Sequence, residues 1–186
     1  MRRRFTIATA LAVLFTCMLG AATVSAAAKH RGCARVSAIP NATTLPQAQE
    51  AVLCLVNHER ARRRLSGLRS STQLTRAALG HSTDMVSQEY FAHDSLDGST
   101  LRQRVLRTGY FRGSAAGTLE ETLACGWVQL STPKALVASL MSSPTHRSTV
   151  LNPSLRDIGI GLVLGAPRSQ PGMAGGATLT LDFARR

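Results

Sequence analysis

The stretch Ile158-Gly159-Ile160-Gly161-Leu162-Val163-Leu164-Gly165 decides the architecture. Apolar residues at 158, 160, 162 and 164 alternate with glycine at 159 and 161, and a period of two is the repeat of a β-strand. The glycines bare the opposite face, so a second layer can approach the backbone closely and the strand is expected to be covered on both sides. A Pro- and Gly-rich loop over 165–176 leads to a second strand over 177–183, and antiparallel pairing of the two is the simplest arrangement.

Upstream the period is 3.6. Thr44-Leu45-Pro46-Gln47 reads as a helix start, a capping threonine three residues before a glutamine with proline in the first turn. The helix is expected to run to about Leu65, burying Ala48, Ala51, Val52, Leu55 and Val56, with Gly67 as its stop. Ser71 or Thr72 opens a second helix that places Leu74, Ala77, Ala78, His81 and Met85 on one face and ends before Phe91. Asp97-Gly98 marks a turn, residues 101–108 a short third helix closed by Gly109, and a glycine-rich loop follows through Gly117. Residues 119–127 are ambiguous. Thr132-Pro133 opens another amphipathic helix, Pro144 interrupts it and starts a further turn or two, and Asn152-Pro153 is a loop. Helices first and strands last imply an α+β class with helices packed on a sheet.

The N-terminus carries a destination. Arg2, Arg3 and Arg4 precede an apolar run over 7–19 and then small residues, the order of a secretory signal peptide over residues 1–26. The run is too short and too soon broken by Gly20, Thr23 and Ser25 for a permanent membrane span. Cleavage is expected after Ala26, with Ala28 as an alternative, and removes Cys17; Thr16 before it and Met18-Leu19 after it do not suit a lipid-modified cysteine. An arm over 27–45 and one domain over 46–186 remain. Losing the three arginines takes the formal charge from +12 to +9, still basic. In an exported protein that field favours acidic envelope surfaces, although most such arginines simply keep a surface solvated. Nucleic acid is not expected as a partner, because aromatics make up 4% of the chain and none interleaves with the basic residues.

Three cysteines stay after export. A Cys33–Cys54 bond would pin the arm to the first helix and leave Cys125 free and buried; Cys54–Cys125 is the alternative pairing. Asn41-Ala42-Thr43 matches a glycosylation acceptor but is read as an ordinary loop.

An ordered set of phrases resembles the bacterial branch of the CAP family of extracellular domains (cysteine-rich secretory, antigen-five and pathogenesis-related proteins). The set comprises Leu55-Val56-Asn57-His58-Glu59-Arg60, Ala77-Ala78-Leu79-Gly80-His81, Tyr90-Phe91-Ala92-His93-Asp94-Ser95, Glu120-Glu121-Thr122-Leu123-Ala124, Ser143-Pro144-Thr145-His146-Arg147, Ile158-Gly159-Ile160-Gly161 and Asp182-Phe183. The resemblance implies a three-layer α-β-α sandwich with a central, mainly antiparallel sheet, and an open cleft lined by histidines and acids. By matched position the cleft residues are His93, Glu121 and His146. The match has departures: Glu120 and Thr122 flank Glu121 where the family has glycine and asparagine, Leu96 replaces a proline, and Thr145 a glycine. A second cleft acid of eukaryotic members falls near Ser143, and their late histidine on Thr178.

Two imidazoles and a carboxylate form a ligand set that would suit zinc with an open fourth position, so His93 and His146 are candidate metal ligands and Glu121 a candidate base. The run His58-Glu59-Arg60-Ala61-Arg62 is a decoy, since a zinc-protease helix needs a second histidine where Arg62 stands. No Gly-x-Ser-x-Gly elbow is present, and the apolar neighbours of Cys125 favour inert packing over pairing with His93 or His146. Arg147 is expected to contact Asp84 or Glu121, Glu59 to make a salt bridge or cap, and His81 to be a satisfied core residue. The expected function is a secreted, monomeric, non-enzymatic binding module for a lipid, envelope glycan or protein partner. The alternative is a metal-assisted hydrolase of peptide or envelope polymer.

Overall fold

The alternating stretch forms one of two central strands of a four-stranded sheet. In chain order the elements are α1 (Leu45–Ala61), β1 (Arg69–Ser70), α2 (Thr72–Ser87), α3 (Leu101–Arg107), β2 (Thr118–Trp127), a 3-10 turn (Val128–Ser131), α4 (Pro133–Ser142), α5 (Pro144–Val150), β3 (Asp157–Leu164) and β4 (Gly176–Arg185). The computed structural model describes residues 32–113, 117–167 and 175–186, which lie in the unit Gly32–Arg186. The signal peptide, its cleavage sites, Cys17 and parts of the arm and of the two glycine-rich loops lie outside the described residues.

The strand order is β1-β3-β4-β2, with β3–β4 and β4–β2 antiparallel and the two-residue β1 parallel to β3. The sheet is therefore mixed, with antiparallel pairing dominant. Residues 119–127, ambiguous in sequence, belong to the edge strand β2.

Alternation sorts the side chains into two layers of contact. Ile158, Ile160, Leu162, Leu179, Leu181 and Phe183 face α1 and α4 and join Val52, Val56, Leu136 and Leu140 in the main core. On the other face Gly159 and Gly161 lie so close to α2 that a Cβ on either would fall within 2.1–2.2 Å of the Leu74 or Ala78 backbone. That approach seats α2 directly on β3 and brings the polar residues of α2 down onto the sheet: Ser82 Oγ donates to the Gly161 carbonyl and lies 2.7 Å from Thr180 Oγ1.

Two local expectations are corrected. Thr44 precedes α1, but its side chain makes no cap to the helix; Asn41 competes, its Oδ1 accepting from the Thr43 and Thr44 N–H groups while Thr44 Oγ1 accepts from Asn41 N–H. A capping box forms instead at α3, between Thr100 and Gln103. The first helix ends at Ala61, before Leu65, because Arg64 turns left-handed (φ 58°) and Leu65 N–H bonds back to the Arg60 carbonyl. The Arg60 guanidinium, fully buried, donates to the carbonyls of Ser66, Val150 and Asn152 and ties this turn to the end of α5.

The Cys33–Cys54 disulfide is formed, with Cα atoms 5.7 Å apart, and Cys125 is a free, half-buried thiol that burial pushes up in pKa. Among the described residues no helix is long and apolar enough to cross a membrane.

Candidate functional site

The polar layer between α2 and the sheet is built on a pair of acids. Glu121 of β2 and Asp182 of β4 are direct cross-strand partners, and Gly159 stands opposite Asp182 on the far side. Like charges at such a position repel. Asp182 is fully buried with neither oxygen hydrogen-bonded, and burial, followed by the neighbouring Glu121 charge, pushes its pKa well above its ordinary value, which favours its neutral form. Burial also opposes ionisation of Glu121, whose side chain is 2% exposed, but the His93 hydrogen bond and the Arg104 charge outweigh it and hold its pKa down.

Both Glu121 oxygens are thereby engaged. Oε1 accepts from His93 Nδ1 at 2.8 Å and Oε2 from Arg104 Nη2 at 2.7 Å. An ionised carboxylate only accepts, so Nδ1 carries the proton of the His93 ring and Nε2 is the nitrogen left for a ligand. The Glu121 hydrogen bond raises the His93 pKa, against partial burial of a ring that is 58% exposed.

His93 is held in place from below by His81. That residue is 1% exposed on α2; its Nε2 donates to the Ala92 carbonyl at 3.0 Å, and its Nδ1 lies 3.4 Å from Ser95 Oγ, so both ring nitrogens grip the loop on either side of His93. Burial lowers its pKa, which keeps the ring neutral and suited to this bridging. Tyr90 anchors the start of the same loop by donating to Asp84, and burial with that bond pushes its phenol up to about 12.

His146 sits half-buried on α5. Its pKa is lowered by burial and then by the His93 charge, so the two imidazoles lie within electrostatic reach. The structure thus brings His93 and Glu121 into contact and leaves His146 as a neighbour. Arg147 does not join them: it donates to the Met141 carbonyl, because Glu121 points to the α2 side of the sheet and its cation is Arg104. Glu120 faces the opposite way and accepts from Asn152 Nδ2 at 2.5 Å, which fastens β2 to the loop after α5. Glu59 pairs with Arg63 and Arg62, as expected of an exposed helix carboxylate.

Sequence reasoning missed Arg104 and Asp182. Each carried a signal: Arg104 lies between Leu101 and Val105 on the inward stripe of α3, and Asp182 stands between Leu181 and Phe183 in a buried strand. A charged residue inside an apolar pattern is costly unless partnered or neutralised; here Arg104 pairs with Glu121, and burial pushes Asp182, the cross-strand neighbour of the same glutamate, toward its neutral form. Thr178 and Ser143 contribute no acid or imidazole, whereas Asp182, four residues beyond Thr178, supplies a second carboxyl from the same strand.

Among the described residues no three His, Cys, Asp or Glu side chains gather so as to hold a metal ion. Both Glu121 oxygens accept hydrogen bonds, one of them from a guanidinium, and no third donor among the described residues gathers with His93 and His146, so the donor set of His93, His146 and Glu121 does not fit zinc.

Known proteins share this arrangement of elements. Two curated relatives from Bacillus subtilis (strain 168), the uncharacterized protein YkwD and the uncharacterized membrane protein YlbC, are each 30% identical over 115 residues, or 62% of this chain. The chain spans 42% and 31% of their lengths, less than half of either. Among solved structures, an extracellular protein with an SCP domain from Bacillus anthracis superposes with a TM-score of 0.60 at 24% identity, covering 79% of this chain and 44% of that one. An outer surface protein of Borrelia burgdorferi gives 0.59 at 18%, covering 75% and 93%. Residues 53–180, more than half of the chain, match the profile of the cysteine-rich secretory protein family, and the chain belongs to that family, known as CAP.

Proposed function

We propose that the chain is exported by the signal peptide at residues 1–26 and acts outside the cell as a non-enzymatic binding module, with the cleft around His93, Glu121 and His146 receiving an envelope component: a lipid, a glycan or a protein partner. The observation that carries this reading is the saturation of Glu121. Engaged at both oxygens and 2% exposed, it orients His93 and neutralises Arg104, and these contacts with its burial disfavour its acting as a base on water or as a metal ligand. His93 Nε2 is the chemical contact this leaves, a hydrogen-bonding group whose charge follows pH.

The chain beginning at Ala27, prepared without a histidine tag or chelators, is to be incubated with a lipid extract and with purified cell-wall glycan. Retention by one of them that weakens in His93→Ala is the expected result. Release of soluble fragments that stops in Glu121→Gln, or one equivalent of zinc that disappears in the His93→Ala, His146→Ala double variant, would replace the binding module with a metal-assisted hydrolase.

A further inference from the structure

A recess lies beside Arg104, between α2, α3 and the loop over 95–99. It is an open groove of about 370 Å³, large enough for a sugar-sized molecule. Its walls carry three guanidinium groups, from Arg76, Arg104 and Arg107, and two carboxylates, Asp84 and Asp97.

The carboxylates are occupied from within. Asp84 accepts from the Tyr90 hydroxyl, and Asp97 accepts from Ser99 N–H at 2.8 Å and Ser99 Oγ at 3.0 Å. The cations are not matched in this way. Arg76 is exposed and has no hydrogen bond or ion pair among the described residues, and Arg107, also exposed, has one contact, Nη1 to Ser99 Oγ at 3.3 Å. Arg104 is 6% exposed and gives its two terminal nitrogens to Glu121 and to the Ser99 carbonyl, yet its Nε is buried with no partner. Arg76, with no partner among the described residues, and Arg107, with one long contact, keep most of their N–H donors free, whereas both carboxylates already accept from within, so the groove has a surplus of hydrogen-bond donors rather than of net charge.

We infer that this groove binds a sugar-sized molecule bearing one oxyanion, a carboxylate or a phosphate monoester, with the anion held by the free N–H groups of Arg76 and Arg107. Planar guanidinium groups match such oxyanions in bidentate fashion. Arg104 lines the groove and also bonds Glu121, but the inference does not depend on what His93 and Glu121 bind.

The test uses the chain from Ala27 and four probes: glucose 6-phosphate, glucuronate, inorganic phosphate and glucose, each titrated by calorimetry and by amide NMR shifts. Arg76→Gln with Arg107→Gln is the groove variant; Arg62→Gln with Arg63→Gln, on the far end of α1, is its charge-matched control, and both pairs are exposed enough to leave the fold intact. The expected result is that glucose 6-phosphate, glucuronate or both shift the amides of 95–99 and of α3, that glucose does not, and that affinity falls about tenfold or more in the groove variant alone. Binding by the phosphate sugar only, or by both acids, distinguishes the two sources of the oxyanion. Silence of the groove amides with both anionic sugars, equal weakening in the control variant, or equal affinity for inorganic phosphate and sugar phosphate would each overturn the assignment.

Discussion

Replacing Asp182 by asparagine removes the titrating group while keeping the shape of the side chain. In the wild type the folded protein retains a proton on Asp182 that the unfolded chain has lost, because burial and Glu121 raise the folded pKa. A carboxyl raised in the folded state contributes its stability below the unfolded value, near 3.9, and loses it as pH rises toward the folded value. The slope is one proton, about 1.4 kcal/mol per pH unit. Glu121, lowered in the folded state, works in the opposite direction and below that range, and His93 loses its contribution as pH rises above about 6.5 in both proteins. The Asp182→Asn variant should therefore gain on the wild type by about 1.4 kcal/mol for each pH unit above 5, until Asp182 ionises. Urea unfolding at half-unit intervals from pH 5 to 7.5, followed through Trp127, the single tryptophan, measures the difference directly. A difference that stays constant across that range would refute a proton retained on Asp182 in the folded state.

Other consequences are simpler to state. Glu121→Gln removes the charge that raises the His93 pKa, so the His93 resonance should titrate at lower pH than in the wild type; an unchanged midpoint would mean that the Nδ1 contact is absent in solution. Gly161→Ala drives a Cβ to 2.2 Å from the Ala78 backbone and should destabilise the protein by about 3 kcal/mol or more, whereas the same change at Gly98 meets open space but a φ of +80° and costs about 1 kcal/mol, both read from thermal melts. Replacing Cys33 and Cys54 by serine opens a loop with a sequence separation of 21 and should lower stability by about 3 kcal/mol; a thiol count on the native wild type should find Cys125 slow to react and on the unfolded chain should find it freely reactive. Tyr110→Phe leaves Asp157 without the buried hydroxyl that donates to it at 2.6 Å and should cost about 1–2 kcal/mol in the same melts.

Local physics was legible in the chain wherever one residue pattern answered to one structure. The 3.6 repeat placed α1, α2 and α4, and the alternation at 158–164 placed β3 and, through its glycines, the layer that covers it. The 119–127 segment was not legible, because an edge strand with Glu120, Glu121 and Thr122 together breaks alternation; its register was settled by β4, which sets Glu121 against Asp182. The cap at Thr44 failed for a related reason: the sequence matched the pattern, but the Thr44 hydroxyl oxygen turns back to accept from the Asn41 N–H instead of a helix N–H.

The amino-acid sequence by itself determined the class of fold and the disulfide candidates, which follow from periodicity and from residue types at short spacing, while the layer order came with the resemblance to a family carried by phrases in order along the chain. Only the tertiary structure decided what the site can do. Glu121, His93, Arg104 and Asp182 come from four separate elements, and whether the glutamate is a free base or a saturated hub depends on distances of under 3 Å between groups far apart in the chain. Such contacts are set by how the layers pack, and no local pattern encodes them.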